Sequence, residues 1–321
     1  MPDRTGLPAR ITERLRLPVI AAPMLRVSGP DLVVAACAAG VVGGFPTANA
    51  RSAEELDGWL GEIEARTGQA AAPWAPNLIM RSPRLAEDLA VLVRRRVELV
   101  IASVGSPKPV LGPLHDAGAL VLADVATLRH AERAVAAGAD GLVLLTAGAG
   151  GQTGWMNPFA FVRAVRGFFA GPVVLAGGIG DGTALAAART LGADLGYLGT
   201  AFLATQESMA APRYKRMCVD STLDDVVLTR AFTGLPSSML APAIRAAGLD
   251  PAALDENVTP ADADALYGHG GLGPRRWTEV WSAGHSVSGV REVPTAAELV
   301  DRLAREYEAA TGDPNRVVHP G

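Results

Sequence analysis

A chain of 321 residues has room for one large α/β barrel or for two ordinary domains. Hydrophobic residues make up 49% of it, which supports a large buried core and excludes a disordered protein. The formal net charge of −4 gives no electrostatic reason to expect binding to nucleic acid or to an anionic membrane surface. Two cysteines, Cys37 and Cys218, fit a reduced protein without a disulfide framework. We expect a cytoplasmic location, because the sequence shows neither a secretion signal nor an apolar run of the roughly 18 residues that a membrane span needs.

Eight short apolar stretches predict β-strands, and the segments between them have helical spacing. The predicted strands are 18–24, 41–44, 74–80, 99–103, 119–124, 141–146, 172–176 and 195–199. This alternation predicts an α/β fold, a closed (β/α)8 or TIM barrel. An open doubly wound sheet usually carries a dinucleotide fingerprint after its first strand, and none stands there.

After the eighth strand the alternation stops. From residue 205 to about residue 276, prolines recur among short helical pieces, and the segment is too long for a structureless loop. We therefore predict three parts. They are a barrel over 1–204, a small helical subdomain or lid inserted over 205–276, and a return to the barrel over 277–321 that ends in a closing helix.

One stretch, residues 141–155, organises the rest of the chain. Its first half is the kind of apolar strand that is buried on both faces, and its second half is mostly glycine, with the amide of Gln152 at the tip. Glycine lets the backbone approach a ligand closely, so the stretch Gly148–Gly154, which includes Gly150 and Gly151, is predicted to form the floor of a binding site. The alternative is a flexible turn.

Two further glycine loops follow the predicted seventh and eighth strands, where TIM barrels bind phosphate. The first contains Gly177 and Gly178, and the second contains Gly199 and Thr200. Exposed backbone N–H groups and the two helix N-termini that follow can hold a phosphate dianion without lysine or arginine. The alternative is a pair of tight structural turns.

Other candidate ligands stand at the ends of predicted strands on the same face. Ala22, Pro23 and Met24 end the first strand, where the proline marks the exit into the barrel mouth. Asn77 ends the third strand and Asp124 the fifth, each either a ligand or a structural side chain. The histidines show no metal-ligand spacing, so no metal site is predicted. Neither lysine ends the sixth strand, which argues against a Schiff-base aldolase.

A phosphate-binding barrel without metal or lysine chemistry points to flavin, and here the motifs resemble the nitronate monooxygenase family. These are FMN-dependent TIM barrels once called nitropropane dioxygenases. The resemblance covers nearly the whole chain, and its motifs appear in the family's order. They are Ala22-Pro-Met24, Asn77-Leu78, Ala149-Gly-Gly-Gln152, Ala176-Gly-Gly-Ile179, Tyr197-Leu-Gly-Thr200, Thr229–Pro236 and Trp281-Ser-Ala-Gly284. The resemblance implies FMN as the cofactor, with Leu198 among the residues that bind it.

One exchange departs from the family. The resemblance implies a catalytic histidine where this chain has Gln152, and a glutamine cannot take up a proton near pH 7. Conversely, His285 stands where the family has a glutamine. We expect Gln152 and His285 to be the catalytic residues, with His285 supplying the proton chemistry from the opposite wall. The alternative is a solvated loop histidine.

The resemblance implies that FMN and O2 oxidise an alkyl nitronate to a carbonyl compound and nitrite. A nitronate already carries its negative charge, so it needs no base, and Gln152 would hydrogen-bond to its oxygens. A neutral nitroalkane does need a base, so we expect a preference for nitronates. Two alternatives stay open: an NAD(P)H-dependent FMN reductase of enoyl thioesters or quinones, and a flavin-binding protein whose catalysis has decayed. A homodimer also stays open.

Overall fold

The computed structural model describes residues 6–268, 271 and 273–312. Within these residues, eight parallel strands close into a barrel and three short strands form a separate antiparallel sheet. In chain order the strands are β1 (Val19–Ala21), β2 (Val42–Pro46), β3 (Trp74–Ile79), β4 (Leu99–Ser103), β5 (Leu120–Val125), β6 (Gly141–Leu145), β7 (Gly151–Gln152), β8 (Val173–Ala176), β9 (Leu195–Leu198), β10 (Val226–Thr229) and β11 (Ser237–Leu240). The barrel consists of β1–β6, β8 and β9, which confirms the predicted TIM barrel.

Helices cover the outside of the barrel, and several begin at the caps that the sequence supplies. Ser52, Thr127 and Thr295 each accept a hydrogen bond from the backbone N–H three residues later. The helices are α1 (Ala9–Thr12), α2 (Pro30–Ala38), α3 (Ala53–Arg66), α4 (Leu85–Arg94), α5 (Lys108–Asp116), α6 (Leu128–Ala137), α7 (Pro158–Arg166), α8 (Gly182–Leu191), α9 (Thr200–Leu203), α10 (Pro212–Asp220), α11 (Ala241–Ala246), α12 (Pro260–Tyr267) and α13 (Ala296–Thr311). Short 3₁₀ segments cover Thr47–Asn49, Leu223–Asp225, Pro251–Ala253 and His285–Gly289.

Successive side chains of a barrel strand point to opposite faces. One face is buried inside the barrel and the other is buried under the helices. On β5, Leu122 belongs to the cluster inside the barrel, whereas Val121 and Ala123 pack in the layer between strands and helices. This arrangement explains why the strands read as continuous apolar runs.

A buried ion pair joins the amino ends of β8 and β9. Arg166, at the end of α7, donates to the carboxylate of Asp194, which also accepts from the Val173 amide at 2.8 Å. Since the pair fixes the starts of these two strands, it fixes the positions of the glycine loops at their other ends.

The segment 205–276 contains strands as well as the predicted helices. β10 pairs with β11, and β11 pairs with β7 through Ser237 opposite Gln152 and Ser238 opposite Gly151. The β-prone residues of β10 and β11 thus supply partners for the backbone of the glycine-rich stretch after β6. The division into parts 1–204, 205–276 and 277–321 stays a prediction, and residues 313–321 lie outside the described residues.

The closing helix is where the sequence predicts it. α13 packs against α8 so closely that a Cβ placed on Gly182 would lie 2.2 Å from the Tyr307 nitrogen. No helix among the residues that the structure describes is long and apolar enough to span a membrane. Cys37 and Cys218 are buried free thiols, and burial raises the pKa of each to about 12.

Candidate active site at the barrel mouth

The loops after β1 and β9 meet at the carboxyl end of the barrel. The Ala22 amide donates to the Leu198 carbonyl at 2.9 Å, and a Cβ placed on Gly199 would lie 3.7 Å from Met24 Sδ. Pro23 packs against β2, since its Cδ would lie 2.9 Å from a Cβ on Gly44. The Leu198 side chain packs in the layer between strands and helices. Its main chain is the part that contacts the loop after β1.

The loop after β8 contains two glycines in left-handed conformations, with φ of +118° at Gly177 and +74° at Gly178. A Cβ on Gly177 would lie 2.5 Å from Thr146 Oγ1, so packing requires glycine there. A Cβ on Gly178 would meet nothing within 4 Å. Gly178 therefore presents its backbone to open space, as a cradle for a ligand requires.

The N-terminus of α8 corrects the prediction that two helix N-termini hold the phosphate. The Gly182 amide donates to Glu306 Oε2 at 2.9 Å, and the Ala184 amide donates to Asp181 Oδ1 at 2.7 Å. Two carboxylates thus already use the donors of this helix and would repel an anion. The sequence contained the signal, because an aspartate directly before a helix start is a favoured N-cap. The cradle is reduced to the glycine loop and the start of α9.

The return segment lies between the loop after β6 and the start of α9. The Gly284 amide donates to Thr200 Oγ1 at 2.9 Å, and the His285 amide donates to the Gly148 carbonyl at 2.9 Å. A Cβ on Gly150 would lie 2.7 Å from the Gly284 nitrogen. Position 150 therefore requires glycine, because the backbone of the return segment at Gly284 lies directly against it.

His285 lies against the glycine-rich stretch that carries Gln152 at its end. The exposed His285 ring packs on Gly148, because a Cβ there would lie 2.7 Å from His285 Nδ1. Gln152 is half-buried on β7, and its backbone is held by Ser237 of β11. Among the described residues, neither the Gln152 amide nor the His285 imidazole has a hydrogen-bond partner. Both are thus available to a ligand.

Three polar side chains stand at the carboxyl ends of barrel strands. Asn77 is buried, and its amide group is held by β4, where it donates to the Ile101 carbonyl at 3.0 Å and accepts from Ser103 Oγ at 3.2 Å. Asp124 shares the inward face of β5, and Tyr197 packs against the inner cluster from β9. Leu195 packs inside the barrel, and side chains two residues apart on a strand point to the same face. The sequence could therefore have indicated that Tyr197 faces inward, although Tyr197 was not among the predicted site residues.

Asp124 lacks the hydrogen-bond partners that Asn77 has. Its Oδ1 is buried without a hydrogen-bond partner, and burial raises the pKa of Asp124 to about 7. Burial, and secondarily the Asp124 carboxylate, raise the pKa of Tyr197 well above its ordinary value. A buried oxygen without a partner is expected where a polar ligand completes the site.

These features fit a flavin. Gly178 offers an open backbone cradle for a phosphate, and Asp124 offers an unpartnered polar group for a ring edge. In the described part of the chain, no group of three or more histidine, cysteine or acidic side chains could hold a metal ion; His269 and His319 lie outside it. Two clefts, of about 350 and 270 Å³, are lined by residues at the amino ends of strands, away from this mouth.

Comparison with known proteins decides the family. A nitronate monooxygenase family model matches residues 49–306. The chain belongs to the nitronate monooxygenase family. It is 29% identical to a nitronate monooxygenase of Paraburkholderia phytofirmans, over 96% of this chain and 97% of that protein. The predicted family is confirmed, and the chain is a flavin-dependent oxidoreductase.

Two solved structures share the fold over nearly their whole length. FabK from Thermotoga maritima superposes with a TM-score of 0.81 at 26% identity, covering 94% of this chain and 97% of that one. The nitroalkane oxidase from Streptomyces ansochromogenes superposes with a TM-score of 0.77 at 30% identity, covering 94% of this chain and 99% of that one.

Proposed function

We propose that this enzyme binds FMN and oxidises alkyl nitronates with O2 to carbonyl compounds and nitrite. The observation that carries the proposal is the position of Gln152. Gln152 pairs with Ser237 through its backbone, is half-buried at the end of the glycine-rich stretch after β6, and has no described hydrogen-bond partner for its uncharged side-chain amide. An amide can donate to the oxygens of an anion without having to remove a proton. The similarity to proteins named nitronate monooxygenase and nitroalkane oxidase supports the same substrate class.

FMN fits the mouth better than a dinucleotide. The backbone of Gly177–Gly178 and the start of α9 at Thr200 would hold one terminal phosphate. The sequence over 148–153 begins like a dinucleotide fingerprint, but Thr153 stands where the last glycine belongs. Ala22, Met24 and Asn77 would border the ring system. When bound, FMN accepts electrons from the substrate and passes them to O2.

The protein's own groups divide the remaining work. Gln152 would bind the nitronate oxygens and so orient the substrate in the mouth. His285, exposed beside Gly148, would take up the proton of a neutral nitroalkane, since imidazole is the usual side chain for general base catalysis. A preformed nitronate does not need this step.

The stoichiometry of the aerobic reaction tests the proposal. Two nitronates and one O2 balance two carbonyl molecules and two nitrite ions. Incubation with propane-2-nitronate is therefore expected to release acetone and nitrite in equal amounts while O2 is consumed. Oxygen consumption and nitrite can be followed together, with heat-denatured protein as the blank. Absence of nitrite above that blank, in protein that carries flavin, would contradict the proposal.

A further inference from the structure

Asp124 has no task in the proposed reaction, yet it stands near the carboxyl end of β5, on the side of the barrel where the candidate site lies. It lies two residues beyond Leu122 on β5, so its side chain shares the face that fills the barrel interior. The residue as a whole is partly exposed, whereas its Oδ1 is buried without a partner. One end of the carboxyl group therefore faces the barrel and the other faces the open mouth.

No described residue donates a hydrogen bond to the buried Oδ1 of Asp124. Its partner on β6 is Val143, and the preceding residue, Ala123, pairs with Ala102 of β4; none of these residues is ionisable. Nearby Asn77 already uses its amide on β4. Among the described residues, no salt bridge involves Asp124. A carboxylate in such a place lacks the donors and cations that buried charges require.

We propose that Asp124 acts as a neutral carboxylic acid that donates a hydrogen bond to the ring system of the bound flavin. The inference rests on the proposed binding of FMN. The flavin ring carries carbonyl oxygens and ring nitrogens that accept hydrogen bonds, so a protonated carboxyl facing the mouth is a suitable donor. A flat ring over the mouth also removes the remaining contact of Asp124 with water, which favours the neutral form further. Asp124 is then a cofactor-positioning residue.

Flavin affinity should consequently depend on pH, and the sign follows from linkage. The pKa of Asp124 is raised to about 7 in the free protein, and a hydrogen bond donated to the flavin raises it further in the complex. The protonated form binds, so affinity is full below about pH 7. Between that value and the higher pKa of Asp124 in the complex, it falls by about tenfold for each pH unit, because one proton must be taken up on binding, and above the higher pKa it is constant. A carboxylate that instead accepted from the flavin N–H would give the opposite sign.

Other ionisable groups near the mouth define the controls. Tyr197 faces Asp124, but burial keeps its pKa far above this range. His285 packs on Gly148, and its imidazole is the other ionisable side chain at the rim. The phosphate of FMN itself ionises near pH 6. Variants of Asp124 and His285, together with riboflavin, which lacks the phosphate, separate these contributions.

The test is a titration of the full-length apoprotein with FMN, followed by quenching of flavin fluorescence, between pH 5.5 and 9 in wild type and variants. Wild-type protein is expected to lose affinity above about pH 7. Asp124→Asn, which keeps a donor but cannot ionise, should bind with no such loss, so that the ratio of the two Kd values grows about tenfold per pH unit. Asp124→Leu should bind more weakly at every pH, without a step. His285→Gln should retain the wild-type step, and riboflavin should show it too.

The outcomes separate this inference from the proposed cofactor. Parallel pH profiles for wild type and Asp124→Asn, or a wild-type affinity that increases with pH, would overturn the role of Asp124 while leaving FMN binding intact. Absence of FMN binding at every pH, in wild type and all variants, would overturn the cofactor itself.

Discussion

Gly178→Asp is expected to lose bound FMN almost completely. The backbone at Gly178 faces open space beside the proposed phosphate position, so the new side chain meets no protein atom and instead places a carboxylate against the phosphate. Two like charges about 4 Å apart at an effective dielectric constant of about 20 repel by about 4 kcal/mol, which corresponds to a roughly thousandfold loss of affinity. Heat release of the cofactor from purified protein, followed by chromatography, measures the loss. It also identifies the cofactor, which should be FMN in wild type.

Gly178→Asn is the matched control. Asparagine has nearly the same shape as aspartate, and both tolerate the left-handed φ of +74° found there. The asparagine variant should keep much of its FMN, because it adds no charge. Equal flavin content in wild type and Gly178→Asp would show that the phosphate lies elsewhere. Equal loss in the two variants would assign the effect to shape rather than charge, and recovery of FAD would contradict the proposed cofactor.

His285→Gln is expected to separate nitroalkanes from nitronates. Turnover of a neutral nitroalkane should fall by roughly 10²-fold, the lower range for loss of a general base, because its C–H proton then has no acceptor. Turnover of the matching nitronate, which has already lost that proton, should change far less. Any pH dependence of nitroalkane turnover that comes from His285 should also disappear. Steady-state rates on both forms of one compound, across pH, provide the measurement.

Gln152→His is the companion variant. It places an imidazole on β7 while keeping a hydrogen-bonding group beside the glycine loop, so FMN content and nitronate turnover should survive. In the His285→Gln background it should restore part of the nitroalkane activity. If His285→Gln changes neither the rates nor the pH profile, His285 is a solvated loop residue, and Gln152 alone carries the contact with the substrate.

The barrel could be predicted because its information is local. Each strand is a short apolar run, and caps such as Ser52 and Thr127 begin the helices that follow. The sheet of β7, β10 and β11 could not be predicted in this way. β7 has only two residues, Gly151 and Gln152, and two residues have no periodicity to detect. Their pairing with β11 depends on a contact between segments about 85 positions apart.

The candidate site was likewise predictable where it depends on local sequence patterns and not where it depends on long-range contacts. The glycines after β8 and β9 indicate a cradle on their own, because few other reasons place glycine at such strand ends. Which N–H groups stay available depends on Asp181 and on Glu306, and the latter reaches α8 from the far end of the chain. The contact of His285 with Gly148 likewise depends on the path of the return segment. Such long-range contacts leave no pattern in a single sequence.

The most direct test of the proposed function is anaerobic mixing of the purified holoenzyme with a nitronate and, separately, with NADH. The absorbance of the oxidised flavin near 450 nm reports electron transfer without any contribution from O2. Our account predicts that propane-2-nitronate bleaches this band within the turnover time, that NADH leaves it unchanged, and that admission of O2 restores it. Rapid bleaching by NADH with no response to the nitronate would contradict the account and identify the enzyme as a pyridine-nucleotide-dependent flavin reductase.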